Sequence, residues 1–462
     1  MEAVMKQIGG WKDYLGNRAL YVETLRLALP ISAQSLVAVG MNMADTVMLA
    51  KLGDAQISAA SMAGQYVTLF LVCAMGLGMG ASVLTNRYWG MGEHRGMKQA
   101  ITVMLRWELW VTGIFTVIGM LFPRGIMRIF TSDGETLVYG VQYLRWILPA
   151  YFCMAYSQGC TIVLRSAGKL MVPLIGAVLA LGVNIGLNWV LIHGNWGAPR
   201  MEIAGAALAT TVAWIVQLLF VCGYFFFMER DIGYRFKDLK TECKPMQKEY
   251  FRISFPVLVS DGLLGLGSSA ISVVMGQMGQ TFAAANSVTM VVQQVSTVLH
   301  HGIAGASGII TGHTMGEGDF EKARKEGYAF VWIGVVIGVI AAIGILLLRR
   351  PVIAYYNVSS EAKEIAWGLM NALLAIVLFQ SVNGVLTKGV LRAGGDTRFL
   401  MVADVLFLWI ASIPLGALAA FVWELPAVMV FEFLKVDQVI KCIWCFSRLR
   451  SGKWQKTIER NA

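Results

Sequence analysis

An aspartate in the middle of an apolar helix is the residue of this chain best placed to do chemistry. Inserting one there costs about 2.5 kcal/mol or more, so it is kept where it faces protein or water and has a task. Asp45 lies deep in the apolar stretch 24–49, where a carboxylate can take up a proton or ligate a cation. Gln34 stands eleven residues earlier, and at about 100° per residue the two project to within roughly 20° of one another, with Met41 between them. The spacing predicts one polar stripe. Asn184 and Asn188 sit one helical turn apart in another apolar run and share a face. Amides so placed suit cation coordination, a hydrogen bond to a carboxylate, or the interhelical bonding that glues membrane helices. Thr210 and Thr211 follow Gly205, Ala206 and Ala207, small residues that permit close backbone approach, and by themselves read as packing residues.

Other reactive types carry less. His300 and His301 are adjacent, so their side chains diverge by about 100° on a helix and do not both line one narrow path. Glu432, Lys435 and Asp437 cluster in the last apolar run, where Glu432 and Lys435 have the i,i+3 spacing of a structural ion pair. Asp261 and Asp404 lie near the cytoplasmic ends of their runs and are expected to stay hydrated. Seven cysteines scattered through apolar segments make no disulfide framework, and Cys442 with Cys445 is a lone CxxC without a second pair or nearby histidine. Gly76, Gly78 and Gly80 lack the strand and remaining glycine of a dinucleotide loop.

The elements that must hold these residues are membrane helices. With 57% hydrophobic and 14% charged residues, the composition excludes an ordinary soluble domain. Twelve apolar runs are long enough to cross ~30 Å of hydrocarbon: 24–49, 57–85, 101–122, 139–164, 171–193, 204–228, 251–277, 284–312, 327–348, 362–390, 399–422 and 425–446. Placing the N-terminus inside puts about 25 basic residues in the cytoplasm and about 6 outside, Lys51 and Arg200 among the latter. Both ends are therefore expected in the cytoplasm, and the net charge of +10 reflects topology rather than a nucleic-acid surface. The first 20 residues are charged and polar, so the first span is expected to act as the insertion signal.

The spans form a repeat. Pro30, Gly53, Gly76, Thr85, Gly90 and Gly92 return 226 residues on as Pro256, Gly279, Gly302, Thr311, Gly316 and Gly318. Val163-Leu164-Arg165 with Gly168 returns as Val390-Leu391-Arg392 with Gly395. Paired repeats are how many transporters build a substrate path. Asp45 falls opposite Ile271, so the copies share a scaffold but not this charge. The resulting organisation is a cytoplasmic segment 1–22, six-helix lobes at 23–228 and 251–446, a linker at 229–250 read as a solvated connector on the headgroups, and a basic cytoplasmic tail at 447–462.

The chain resembles the multidrug and toxic compound extrusion (MATE) family of antiporters, prokaryotic branch. The resembling stretches are Leu29-Pro30, Ala44-Asp45-Thr46, Lys51-Leu52-Gly53, Gly80-Ala81-Ser82, Gly90-Met91-Gly92, Gln142-Tyr143-Leu144-Arg145, Leu164-Arg165-Ser166-Ala167-Gly168, Val183-Asn184-Ile185 and Gly205 to Thr210. In the second half they are Gly305-Ala306-Ser307, Gly316-Glu317-Gly318-Asp319 and Leu391 to Thr397. The resemblance implies an all-α polytopic fold of two pseudo-symmetric six-helix bundles around a V-shaped cavity. It also implies export of organic, often cationic, compounds in exchange for H+ or Na+ by alternating access. Carried onto matching positions, it makes Asp45 the central acid, with Asn184 and Thr210 beside it and Tyr143 a weaker match.

Two departures matter. Many members carry an aspartate where this chain has Asn188, and some branches have acids in spans seven and ten, where it offers Leu263, Leu264, Ser381 and Asn383. A sodium ion would sit at Asp45, Asn184 and Thr210, helped by Gln34 and Asn188, with only one negative charge. A proton needs only the carboxylate and is the favoured coupling ion. The alternative is a flippase for a lipid-linked saccharide, which would call for extra spans and a basic cavity. A membrane enzyme would need clustered His, Asp or Cys ligands at one depth. No cofactor, resident metal, nucleic acid or obligate protein partner is called for; the partners expected are small organic cations or drugs and the bilayer.

Overall fold

A computed structural model describes residues 16–49, 52–356 and 358–457. Residues 1–15, Lys51 and the last five residues of the basic tail lie outside the described residues. In hydrocarbon an open chain satisfies its backbone only as helix, and the regular elements described are all helical. They are α1 (Arg18–Leu49), α2 (Asp54–Gly90), α3 (His94–Leu121), α4 (Pro123–Phe130), α5 (Gly134–Ile147), α6 (Ala150–Ser166), α7 (Met171–His193), α8 (Glu202–Met228), α9 (Lys244–Gln277), α10 (Gln280–Ser296), α11 (Val298–Glu317), α12 (Phe320–Tyr355), α13 (Ser360–Ala393), α14 (Thr397–Phe421), α15 (Ala427–Leu434) and α16 (Val436–Ser451).

Nine of these, among the described residues, are long and apolar enough to cross a membrane, and the α5–α6 pair, bent by 52°, makes a tenth. The bend falls at Pro149, which has no N–H to continue the ladder. The other two predicted spans are also broken helices, α10–α11 at Thr297 and α15–α16 at Lys435. The chain is thus an all-α, twelve-span membrane protein.

Contacts divide the chain into two compact units, and the borders fall inside helices. One unit comprises Ala33–Thr85 and Glu93–Leu258; the other comprises the residues up to Ser32, Asn86–Gly92, and Val259 onward. The borders after Ser32 in α1 and Leu258 in α9 are repeat mates, 226 residues apart.

In the first unit, Phe70 of α2 stacks on Tyr151 of α6 at 4.3 Å within a buried cluster that includes Leu144, Ile147 and Ala207. The linker is not the solvated connector expected. Tyr234 is fully buried and its hydroxyl lies 2.9 Å from that of Thr102 on α3, while Arg106 donates to the carbonyls of Leu239 at 2.6 Å and Thr241 at 2.9 Å. Lys98 adds a bond to the Gly233 carbonyl at 2.6 Å. Buried aromatic and aliphatic side chains, with α3 cations on backbone oxygens, strap this segment down.

In the second unit the last turns of α2 cross α11 with repeat symmetry. A Cβ on Gly90 would strike the backbone oxygen of His313, and one on Gly316 that of Arg87, and both pairings link repeat mates. Only glycine lets the backbones approach this closely. Asp261 and Asp404 are not merely hydrated. Arg392 forks onto Asp261 at 2.8 and 3.1 Å, and Lys441 bridges Asp404 at 2.9 Å and Asp437 at 3.1 Å. A π turn at Val405–Ser412 presents the Ser412 hydroxyl to the backbone N–H of Asp437, 2.8 Å away.

Candidate functional site

The site is built within the first unit from three helices. α1 carries Asp45, α7 carries Asn184 and Asn188, and α8 carries Thr210. Small residues let α8 reach α7: a Cβ on Gly205 would lie 2.8 Å from the Leu191 carbonyl, and one on Gly176 2.8 Å from a Val221 methyl. Close backbones of this kind leave polar side chains on facing helices within bonding distance. α7 then stops at Gly194, whose φ of 74° is the left-handed conformation that ends a helix without strain.

The four polar side chains form one chain of hydrogen bonds. The Asn188 amide donates to Asp45 Oδ1 at 2.5 Å and to Asn184 Oδ1 at 3.2 Å, and the Asn184 amide donates to Thr210 Oγ1 at 3.3 Å. Both asparagines are fully buried, whereas Asp45 and Thr210 are half-buried and so can be reached. No basic side chain pairs with Asp45 among the described residues. The buried carbonyl of Asn188 has no hydrogen-bond partner among them either. One carboxylate, an open amide oxygen and a threonine hydroxyl can take a proton on Asp45 or offer oxygens to a small cation. Tyr143, half-buried against the same aromatic cluster, lies within electrostatic reach of Asp45.

Gln34 is placed elsewhere. Although it shares a face of α1 with Asp45, eleven residues of helix separate them by roughly 16 Å, and its side-chain oxygen accepts from Arg165. Arg165 and Arg392 belong to the repeated Leu-Arg motif, and each clasps an early residue of its own copy, Gln34 in one and Asp261 in the other. The polar stripe is therefore two separate features, an arginine clasp and an acid site.

Sequence reasoning passed over Glu108 of α3. It is fully buried, and neither carboxyl oxygen has a hydrogen-bond partner among the described residues. A Cβ on Gly159 would come within 2.6 Å of its Oε2, and the thiols of Cys160 and Cys222, 3.4 Å apart, act on it electrostatically or feel its charge. The signal was available, since Glu108 is an acid inside the run 101–122. The anticipated Glu432–Lys435 pair does not form. The helix breaks at Lys435, Glu432 is exposed, and Asp437 pairs with Lys441 instead. His300 is packed against Gly384, its ring 5.3 Å from that of the exposed His301. All seven cysteines are free thiols.

A family model described as MatE matches residues 30–190 and 256–418, one match in each half. Curated relatives include a probable multidrug resistance protein NorM of Rhodopseudomonas palustris, 27% identical over 94% of this chain and 92% of that protein. The multidrug resistance protein NorM of Burkholderia vietnamiensis is 25% identical over 87% of each. Among solved structures, an outward-facing multidrug resistance MATE family transporter of the MOP superfamily superposes with a TM-score of 0.85 at 19% identity, covering 97% of this chain and 99% of that one. A MATE crystal structure in the straight conformation gives 0.85 at 18% identity, over 96% and 99%. At those identities the likeness is one of fold.

Proposed function

The chain belongs to the MatE family, a family of membrane transporters and not of enzymes, and we propose that it is a secondary active exporter of organic, often cationic, compounds. The observation that carries this reading is Asp45, a span carboxylate held by an amide rather than a cation and left half-buried. A permanently paired acid would be structural; an acid without a basic partner can exchange its charge. Relatives called multidrug resistance proteins, similar over nearly the whole chain, support the substrate class. Uptake of the coupling ion at Asp45 changes what the amide chain donates to, repacks α1 against α7, and weakens the hold on cargo. Ion and substrate thus compete by acting on one equilibrium between states.

The coupling ion in this reading is the proton. Sodium must exchange much of its hydration for protein oxygens, and here one negative charge faces it because position 188 is an amide. The protein resides in the plasma membrane, the bacterial inner membrane in the case of relatives like these, with both termini cytoplasmic. The test is efflux from proteoliposomes under a pH gradient or a sodium gradient imposed separately, with wild type and Asp45→Asn. Export driven by the pH gradient and abolished in Asp45→Asn is expected. Normal gradient-driven export by well-inserted Asp45→Asn removes the site from Asp45.

A further inference from the structure

The second unit holds a cavity of about 250 Å³ whose charge is opposite to that of the Asp45 site. Its wall includes Ile271, the repeat mate of Asp45, with Asn286, Gln293, Gln380, Phe431 and Lys435. Where one repeat places an acid, the other places an aliphatic side chain and brings in a lysine from the break between α15 and α16. The Lys435 ammonium lies 5.9 Å over the Phe431 ring and has no carboxylate within ion-pair distance among the described residues. The nearest acid along the chain, Asp437, is taken by Lys441 at 3.1 Å, the Gln438 amide at 2.7 Å and Ser412. With Asp404 and Asp437 around Lys441, that cluster carries one net negative charge. It balances Lys435 at a distance without filling its N–H donors. Gln293 donates to the Gln380 carbonyl at 3.0 Å, which orients the Gln380 amide and leaves its N–H groups to donate elsewhere.

An ammonium in a membrane span is costly and marks a site by default. Resting on the reading of the chain as an exporter, we propose that this cavity binds the anionic group, a carboxylate or phosphate, of an amphiphilic compound. Lys435 supplies the counter-charge, Gln380 supplies donors, and Phe431 packs against the apolar body. The cavity is at the small end for a whole drug-sized ligand, so it takes a head group and leaves the remainder of the molecule outside it. Such a site extends the substrate range from cations to anions and zwitterions.

Equilibrium binding to the purified full-length chain in nanodiscs tests this without any gradient. The probes are 1-naphthaleneacetate and its uncharged amide. The acid should bind at least tenfold more tightly, Lys435→Arg should keep the preference, and Lys435→Met should erase it. Ile271→Asp provides a second route, because a carboxylate built into the wall should fill Lys435 and also erase the preference. Equal affinity for acid and amide in the wild type, or a preference that survives in folded Lys435→Met, overturns the inference. Nanodiscs of phosphatidylcholine with and without phosphatidylglycerol distinguish the source of the anion. Competition by phosphatidylglycerol supports a lipid phosphate, and its absence supports a free carboxylate. If efflux dependent on Asp45 persists while acid and amide bind alike, this inference alone falls; if no gradient drives efflux, the exporter reading falls and the binding result stands separately.

Discussion

Replacing Asn188 by aspartate changes charge at the acid site with almost no change of shape. In the wild type the Asn188 amide donates to Asp45 Oδ1 at 2.5 Å. The substitution removes a hydrogen bond to a charged group, about 1.5–3 kcal/mol, and sets two carboxylates face to face. At a separation of about 3.5 Å and an effective dielectric of about 20, their repulsion is roughly 5 kcal/mol when both are ionised. A cation held between them cancels that term. Even half of it, about 2.5 kcal/mol, is a roughly 70-fold gain in cation affinity. Asn188→Asp in proteoliposomes should therefore respond to a sodium gradient at equal pH, with half-saturation tens of times lower in sodium than any response of the wild type. Asn188→Ala loses the donor without adding charge and should weaken export without creating sodium dependence. A wild type driven by sodium as strongly as Asn188→Asp refutes the argument, because it would mean that one carboxylate suffices.

Gly90→Ala and Gly316→Ala should each destabilise the protein by about 1–3 kcal/mol, since the new methyl meets a backbone oxygen that cannot rotate away; equal melting temperatures to wild type would contradict the symmetric crossing. Gly159→Ala should lower thermal stability by clashing with Glu108, and adding Glu108→Ala should recover most of it, so a double-mutant cycle with no coupling would show that the two do not share the space. Cysteines introduced at Lys240 and Lys322 should react only with reagents admitted to the cytoplasm, and one at Arg200 from outside; labelling at Lys240 from outside in sealed cells overturns the proposed orientation.

Much of the protein is legible in the sequence because membrane constraints act locally. A span must be continuously apolar for about 20 residues, so every apolar run between 24 and 446 corresponds to a helix or a broken helix pair. The turn spacing of Asn184 and Asn188 places both on one face of α7, and Asp45 stands out because charge is rare at that depth. The paired glycines of the repeat marked helix crossings before any contact was visible.

What the sequence did not decide is which polar group meets which across helices. Gln34 and Asp45 share a face of α1, yet Arg165 captures the first and Asn188 the second, since those partners arrive from α6 and α7 at different heights. Asp261 and Asp404 look like interfacial acids until Arg392 and Lys441, over a hundred and thirty-odd residues along the chain in the first case, close on them. Lys435 and Glu432 have the spacing of a pair on an unbroken helix, and the break at Lys435 cancels it. Periodicity is a property of one helix and survives in the sequence. Pairing depends on the rotation, height and closeness of helices from distant segments, and only their packing together fixes those.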